Sequence, residues 1–262
     1  NLETFVGLNL IRRPGRRVTL TQGGASYSAA VAGRLEEMER DTLDLMATRG
    51  EGGVLELAAV PTFATRWLLP RLKRFEARAP RVIVNIMPQS RPFLFEGTPF
   101  DAAIYAGDGH WPGTEAIGLM PERLVPVCAP SLIAPHGALT PGQFRRYRLL
   151  QQTTRPYAWR AGFDIQGVRH DHDLAGPRYE LFSMLIQAAV HGLGIALVPA
   201  LLVEEELASG KLIAASPLAS GVDKSYYLVL PEWKAENPLL RTFADWLREE
   251  AEPYRNEQLV EL

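Results

Sequence analysis

A long segment without proline, Thr21 to Arg49, runs directly into the glycine-rich stretch Gly50-Glu51-Gly52-Gly53. Its apolar residues recur at roughly helical spacing between charged residues, and they are Tyr27, Val31, Leu35, Met38, Leu45 and Met46. Glycine ends a helix and frees the chain before a new element. The sequence therefore predicts one long amphipathic helix followed by a domain boundary.

The apolar stripe of this helix has two possible uses. It could pack on its own domain, or it could pair with the same helix of a second copy. A long helix that leads out of a hairpin and away from any core more often dimerises. We therefore expect a homodimer formed through this helix.

The segment before the helix, Leu10 to Thr21, has the pattern of a strand, a Pro14-Gly15 turn and a second strand. Four basic residues surround this turn: Arg12, Arg13, Arg16 and Arg17. Arginines in such a place suit contact with the phosphates of DNA. The alternative is an ordinary solvated hairpin.

Strand and helix patterns alternate beyond the glycine stretch, which is typical of an α/β fold. The first set consists of strand 54–60, helix 62–77, strand 82–87 and strand 101–105. The second set spans about 124–218 and includes helix 179–191 and strand 195–198. A strand at 226–230 and a helix at 239–250 close the chain.

Composition sets broad limits. With 262 residues, of which 47% are hydrophobic, the chain can bury the cores of two lobes and carry an appendage. A net charge of −2 gives no overall reason for nucleic-acid or membrane binding. One cysteine, Cys128, and an N-terminus unlike a signal peptide predict a cytoplasmic protein. The longest apolar stretch, Leu193 to Val203, is too short for a membrane segment.

Three local patterns with possible chemistry have simpler interpretations. Gly192-Leu193-Gly194 follows a helix and opens a strand, so it predicts a helix C-cap and not a dinucleotide site. His170-Asp171-His172-Asp173 has no third anchored ligand nearby, which argues against a metal site. Cys128 lies in an apolar stretch, which predicts a buried core residue. No catalytic motif occurs, so we expect no cofactor, no metal, no catalytic residue and no enzyme activity.

Several of these segments together resemble the LysR-type transcriptional regulators over nearly the whole chain. The segments are Arg16-Arg17-Val18-Thr19-Leu20-Thr21, Trp67-Leu68-Leu69-Pro70-Arg71-Leu72-Lys73-Arg74-Phe75, Asp101-Ala102-Ala103-Ile104-Tyr105 and Gly192-Leu193-Gly194-Ile195-Ala196-Leu197-Val198-Pro199. Within the family, the Trp67 segment and the loop Gly107 to Gly113 are most similar to the glycine-cleavage activators and β-lactamase regulators.

The resemblance implies a two-lobed effector domain similar to periplasmic binding proteins, with two crossing strands between the lobes. Residues 1–21 would be the remnant of a winged helix-turn-helix, and 22–50 the linker helix. The first lobe would be 54–126 with 226–262, and the second 127–225. Most of the helix-turn-helix would be missing, so promoter DNA would be bound through the full-length protein and poorly by this chain alone. The resemblance also implies that the homodimer associates further into a homotetramer.

An effector would occupy the cleft between the lobes, where helix N-termini follow the carboxyl ends of strands. The predicted effector-binding residues are Thr62, Phe63, Ser90, Arg91, Tyr105, Thr153, Thr154, Phe182 and Ser183. Thr62 is a candidate helix cap whose hydroxyl contacts a carboxylate, although it would equally serve to cap its own helix. Trp159 is a further candidate for an apolar wall.

Effector identity stays open among amino acids, cell-wall peptides and aromatic carboxylates. Two other functions also fit a two-lobed α/β chain. One is a solute-binding protein of a transporter, which the arginine hairpin argues against. The other is an α/β enzyme, which the missing catalytic set argues against.

Overall fold

The computed structural model describes residues 2–15, 17–48, 52–134, 137–216 and 224–256. Arg16, Arg49, Gly50 and Glu51, on which parts of the predicted hairpin, helix and boundary depend, lie outside the described residues. The chain divides into two compact units, which are Asn1–Val54 with Arg81–Ile83 and Leu55–Pro80 with Val84–Leu262.

The first unit contains a helix, a hairpin and the long helix. Their bounds are α1 (Leu2–Val6), β1 (Ile11–Arg12), β2 (Thr19–Leu20) and α2 (Gln22–Thr48). Strands β1 and β2 pair antiparallel, with Ile11 opposite Leu20. The predicted hairpin and long helix are thus confirmed within the described residues, whereas α1 was not predicted.

The residues before α2 explain the local sequence. Thr21 Oγ1 accepts a hydrogen bond from the Gly24 amide at 2.9 Å, which is the usual N-cap arrangement. The same hydroxyl donates to the carbonyl of Asn9 at 2.8 Å. A Cβ atom on Gly24 would lie only 1.8 Å from the carbonyl oxygen of Leu10, so this close approach requires glycine.

Two mixed five-stranded sheets are formed by the chain after the long helix. Their strands are β3 (Gly53–Ala59), β4 (Val82–Pro88), β5 (Ala102–Gly107), β6 (Thr114–Pro121), β7 (Leu124–Cys128), β8 (Leu149–Gln152), β9 (Arg178–Tyr179), β10 (Ile195–Pro199), β11 (Ile213–Ala214) and β12 (Ser225–Pro231). One sheet has the order β4-β3-β5-β12-β6 and the other β11-β7-β10-β8-β9. We call them the first-lobe and second-lobe sheets.

Helices cover both sheets. They are α3 (Pro61–Phe63), a π-helical turn (Ala64–Leu68), α4 (Leu69–Arg78), α5 (Pro130–Ile133), α6 (Ala158–Ile165), α7 (Phe182–Val190), α8 (Glu204–Ala208) and α9 (Pro238–Asn256). Short 3₁₀ turns lie at Pro141–Arg146, Ala200–Leu202 and Glu232–Lys234. No helix among the described residues is long and apolar enough to cross a bilayer.

The π turn has a local cause. The Leu69 amide donates to the carbonyl of Ala64, five residues back. Pro70 follows and has no N–H for the carbonyl of Arg66, which interrupts the ordinary helical ladder. Thr65 Oγ1 also donates to the carbonyl of Pro61 at 3.1 Å. Single π turns of this kind are frequent at functional sites.

The chain passes from the first-lobe sheet to the second-lobe sheet between β6 and β7. Leu124 pairs with Pro199, and Pro126 with Leu197, so residues 124–126 belong to the second-lobe sheet. Ser225 pairs with Gly107 in the first-lobe sheet. The lobe bounds predicted from the sequence differ here, since they place 124–126 in the first lobe and 225 in the second. A strand pattern does not reveal which strand will be its partner.

Each lobe has an aromatic core. In the first lobe Phe63 stacks between Trp67, at 4.9 Å, and Tyr226, at 4.5 Å. In the second lobe Trp159 stacks on Phe163, and its Nε1 donates to the carbonyl of Leu150 at 2.9 Å. Trp159 is therefore a core residue, and the expectation that it forms a wall of the cleft is wrong.

The helix C-cap predicted at Gly192 is confirmed. Gly192 has a φ of 71°, in the left-handed region that favours glycine. Its amide donates to the carbonyl of Ala189, and the Leu193 amide donates to that of Ala188, both at 2.9 Å. These bonds end α7 and turn the chain into β10.

Candidate functional site

A cavity of about 650 Å³ lies between the two lobes. Eight of the nine predicted effector-binding residues line it, namely Thr62, Phe63, Ser90, Arg91, Tyr105, Thr153, Thr154 and Phe182. Ser183 is not part of this wall, but its amide contacts Thr62 next to it. The volume is in the range of cavities that hold small molecules.

Thr62 lies at the point where β3 passes into its helix. The helix begins at Pro61, because proline suits the first helical position. Its N-cap residue is Val60, which makes no capping hydrogen bond through its side chain. Thr62 is therefore the second helical residue and not the cap that its sequence indicated. Its hydroxyl oxygen instead accepts a hydrogen bond from the Ser183 amide of the second lobe at 3.0 Å.

Two helix N-termini meet at this contact. In the first lobe the Ala64 amide makes the first intrahelical bond, to Val60, so the amides of Thr62 and Phe63 come before that bond. In the second lobe α7 begins at Phe182 without a side-chain cap. Helix N-termini carry a partial positive charge and attract anions. Both helix N-termini lie at the cavity, since Thr62, Phe63 and Phe182 line it.

The loop after β4 brings Ser90 and Arg91 to the cavity. The Tyr105 hydroxyl donates to the carbonyl of Arg91 at 3.0 Å, which ties this loop to β5. Burial raises the pKa of Tyr105, so its hydroxyl stays protonated and acts as a donor. The Arg91 side chain is exposed at the cavity mouth.

The loop after β8 forms the opposite wall. Gln152 Oε1 accepts hydrogen bonds from the Thr154 amide and, at 2.8 Å, from its hydroxyl. Gln152 Nε2 donates to the carbonyl of Glu180 at 2.7 Å. Thr153 Oγ1 donates to the carbonyl of Tyr179 at 3.2 Å. These bonds join the loop after β8 to the end of β9 and the residue that follows it.

A buried ion pair that the sequence analysis missed lies at the crossing between the lobes. Arg155 Nε and Nη2 donate to the two carboxylate oxygens of Glu122 at 3.1 and 3.2 Å. The Glu122 side chain is only 2% exposed. Burial, followed by the negative charge of Glu122, raises the pKa of Tyr226 beside it. No sequence signal indicated this pair, because its two residues are 33 positions apart in the chain.

Further residues complete the wall. Trp111, Leu181 and Leu202 add apolar surface, and Lys224, Asp108 and Glu180 add charge.

His170, Asp173 and Cys128 are all packed within the second lobe. Asp173 pairs with Arg160 at 2.7 Å, and His170 stacks on Phe163 with ring centres 4.7 Å apart. Cys128 is buried, which raises the pKa of its thiol to about 11. Within the described parts of the chain, no group of three or more metal-binding side chains is placed to hold an ion.

Two α/β lobes with a ligand-sized cavity between them define an effector-binding protein of the periplasmic-binding-protein type. A family model described as the LysR substrate binding domain matches residues 48–252. This chain belongs to the LysR family of transcriptional regulators, and the fold and family predicted from the sequence are confirmed.

The relatives are transcriptional regulators. The chain is 32% identical over 248 residues to the glycine cleavage system transcriptional activator of Escherichia coli strain K12, covering 94% of this chain and 81% of that protein. It is 30% identical over 260 residues to the transcriptional activator AmpR of Pseudomonas aeruginosa, covering 96% and 83%. These similarities agree with the branch that the sequence indicated.

Solved structures give the same result for the fold. The effector domain of Pseudomonas aeruginosa AmpR matches with a TM-score of 0.70 at 29% identity, covering 76% of this chain and 96% of that chain. CrgA of Neisseria meningitidis matches with a TM-score of 0.66 at 24% identity, covering 95% of this chain and 86% of that chain. Regulators of this family bind small effectors and DNA, and they oligomerise.

Proposed function

We propose that this LysR-type regulator senses a small carboxylate or amino-acid-like effector in the cleft between its lobes. The observation that carries the proposal is the meeting of two helix N-termini at Thr62 and Ser183. Amides that precede the first intrahelical bond, together with the two helix dipoles, favour a negative group at this point. An effector held there would contact both lobes at once.

The rest of the wall suits an effector larger than its anionic group. Tyr105, Trp111 and Phe182 offer aromatic surface, and the cavity of about 650 Å³ has room for a substituent beside the carboxylate. Asp108 and Glu180 are exposed carboxylates of the same wall and would attract an ammonium group. An amino acid, a short peptide or an aromatic carboxylate would use these features in different combinations.

The proposal predicts that the effector is recognised by its charge. We would compare pairs of ligands, each a carboxylate and its primary amide, in a thermal-shift titration of this chain. The acid should raise the unfolding temperature and the amide should not, because the helix N-termini gain little from a neutral group. Equal shifts from both members of every pair would contradict the proposal.

We further propose that the hairpin contacts the DNA backbone in the full-length protein. Arg12, Arg13 and Arg17 are exposed next to the β1–β2 turn, and Arg16 lies outside the described residues. Arginines contacting phosphates release counterions, so their replacement by alanine should weaken binding at all sequences alike and reduce its salt dependence. A loss confined to one operator sequence would contradict this role.

The exposed stripe of α2 supports a proposal of dimerisation through this helix. Val31, Leu35, Met38 and Leu45 follow one another at intervals of four, three and seven residues and are between 36% and 65% exposed. Such a stripe at coiled-coil spacing is costly to leave in water. A second contact between effector domains would convert the dimer into a tetramer.

A regulator that reads promoter DNA works in the compartment that holds the DNA, so we propose a cytoplasmic location. The relatives are transcriptional regulators, and we propose that the cavity binds its ligand without turnover. Conversion of a bound carboxylate into a product during the titration would contradict this.

A further inference from the structure

The two lobes are joined by a second polar contact at the edge of the cleft. Arg66 of the first lobe donates through Nη1 to both carboxylate oxygens of Glu206, each at 2.7 Å. The same nitrogen lies 3.2 Å from the carbonyl oxygen of Leu202. Glu206 is in α8, and Leu202 ends the 3₁₀ turn before it, so both partners belong to the second lobe.

The pair is largely buried, so separating its two side chains is unfavourable. The Glu206 side chain is only 8% exposed, and that of Arg66 is 24% exposed. A buried carboxylate without a partner is strongly unfavourable. If the lobes move apart, Arg66 leaves Glu206, so the pair favours the closed arrangement.

The pair is also connected to the cleft wall. Leu202, whose carbonyl accepts a bond from Arg66, lines the cavity. Arg66 belongs to the π turn that follows Thr62 and Phe63, two other residues of the wall. The contact therefore acts on residues that an effector would touch, although neither charged side chain lines the cavity.

We propose that Arg66 and Glu206 are positioning residues that hold the lobes closed and thereby set the affinity of the cleft for its effector. An effector that contacts both lobes binds the closed arrangement better than an open one. Its apparent affinity then falls in proportion to the closed fraction. The statement on affinity rests on the proposed function, whereas the statement on lobe closure does not.

Amide hydrogen exchange without ligand tests the closure directly. The Ser183 amide donates to Thr62 across the cleft, so it exchanges when the lobes separate. The variant Arg66→Met removes the charge but keeps an unbranched side chain. We expect exchange at Ser183 to become at least tenfold faster, with unchanged exchange in β5 and β10 at the centres of the two sheets.

Three companion variants make the result specific. The double variant Arg66→Met with Glu206→Gln leaves no buried unpaired charge, so it separates lobe opening from misfolding. Arg66→Lys keeps the charge and should restore part of the protection. Arg78→Met breaks the pair with Glu249 inside the first lobe and should leave Ser183 unchanged.

The same variants test the affinity of the cleft for its effector. The ligand is any carboxylate that raises the unfolding temperature when its amide does not. Its Kd should be at least tenfold higher in the double variant than in the native chain. Slow Ser183 exchange in both Arg66→Met and the double variant would overturn the proposal. Faster exchange that equally affects β5 and β10, or that also occurs in Arg78→Met, would overturn it as well. If no carboxylate binds the native chain, that result contradicts the proposed function. The Ser183 exchange rates then still decide whether Arg66 and Glu206 hold the lobes closed.

Discussion

The hydroxyl of Thr62 in the first lobe accepts a hydrogen bond from the backbone amide of Ser183 in the second, at 3.0 Å. The contact joins the first turn of one helix to the first turn of another, and Thr62 is 4% exposed. A ligand oxygen in the cleft would find the neighbouring amides already in place. One side chain thus links the arrangement of the lobes to the site.

Replacing Thr62 by valine tests the energetic part of this relationship. Thr62→Val has nearly the same shape but leaves the Ser183 amide without its acceptor, so we expect a loss of about 1–2 kcal/mol in the free energy of unfolding. Urea denaturation measures it. Thr242→Val is the matched control, because its hydroxyl bonds to Pro238 in the exposed start of α9, and its effect should stay within about 0.5 kcal/mol. Equal losses would contradict the role of Thr62.

The ion pair at the lobe crossing should contribute more to stability than the surface pairs. Arg155→Met would leave Glu122, whose side chain is 2% exposed, without its cation, at an expected cost of about 3–5 kcal/mol. Arg78→Met, in a pair whose side chains are 40% and 64% exposed, should cost less than about 1 kcal/mol. Unfolding by urea compares them. A cost for Arg155→Met no greater than the control would show that Glu122 is satisfied without this pair.

Stability should fall as the pH drops through the range in which histidine titrates. Burial lowers the pKa of His170 below 6.5, while Asp173 acts in the opposite direction and Arg145 and His172 in the same one. Because the unfolded chain takes up a proton near pH 6.5 and the folded chain does so only at lower pH, the contribution of His170 is complete above that value and declines below it.

Urea unfolding between about pH 7.5 and pH 5.5 checks this expectation. Asp173, whose pKa is lowered chiefly by its hydrogen bond to Arg160, loses its contribution only as the pH falls below 3.8 and does not interfere. His170→Gln should flatten the pH dependence, and the exposed His191→Gln should not. If the free energy of unfolding declines equally steeply with pH in the native chain, His170→Gln and His191→Gln, His170 is not the source of the decline.

The stripe on α2 predicts where charge disrupts self-association. Leu35→Glu combined with Met38→Glu places two like charges per chain in the expected seam and should raise the dissociation constant of the dimer at least tenfold. Sedimentation equilibrium measures it. Leu43→Glu, equally exposed but outside the seam spacing, should have little effect. A dimer that is insensitive to the double variant would place the contact elsewhere.

The sequence predicted the elements more fully than their partners. The spacing of apolar residues and the glycine boundaries identified β3, β5 and α2, because these signals are local. They did not show that Leu124 to Pro126 pair with β10, or that Trp159 faces the core of its own lobe. Strand pairing and core packing of this kind depend on which strands and helices come together in the folded chain.

The site shows the same limit. Thr62 was selected from its place after a strand, yet Pro61 begins the helix and frees the threonine hydroxyl for a contact 121 residues away. Arg66 and Glu206 are separated by 140 residues, and nothing near either one indicates the other. Pairs across a cleft follow from tertiary structure, which a local pattern cannot contain.

The effector site at the two helix N-termini is tested most directly by calorimetric titration of a carboxylate, chosen by comparison with its amide. The carboxylate is titrated into the native chain, Thr62→Val and the control Thr242→Val. We expect binding to the native chain and the control, with binding to Thr62→Val at least tenfold weaker, a loss of about 1.4 kcal/mol. Undiminished binding to Thr62→Val would contradict an effector site at the meeting point of the two helices.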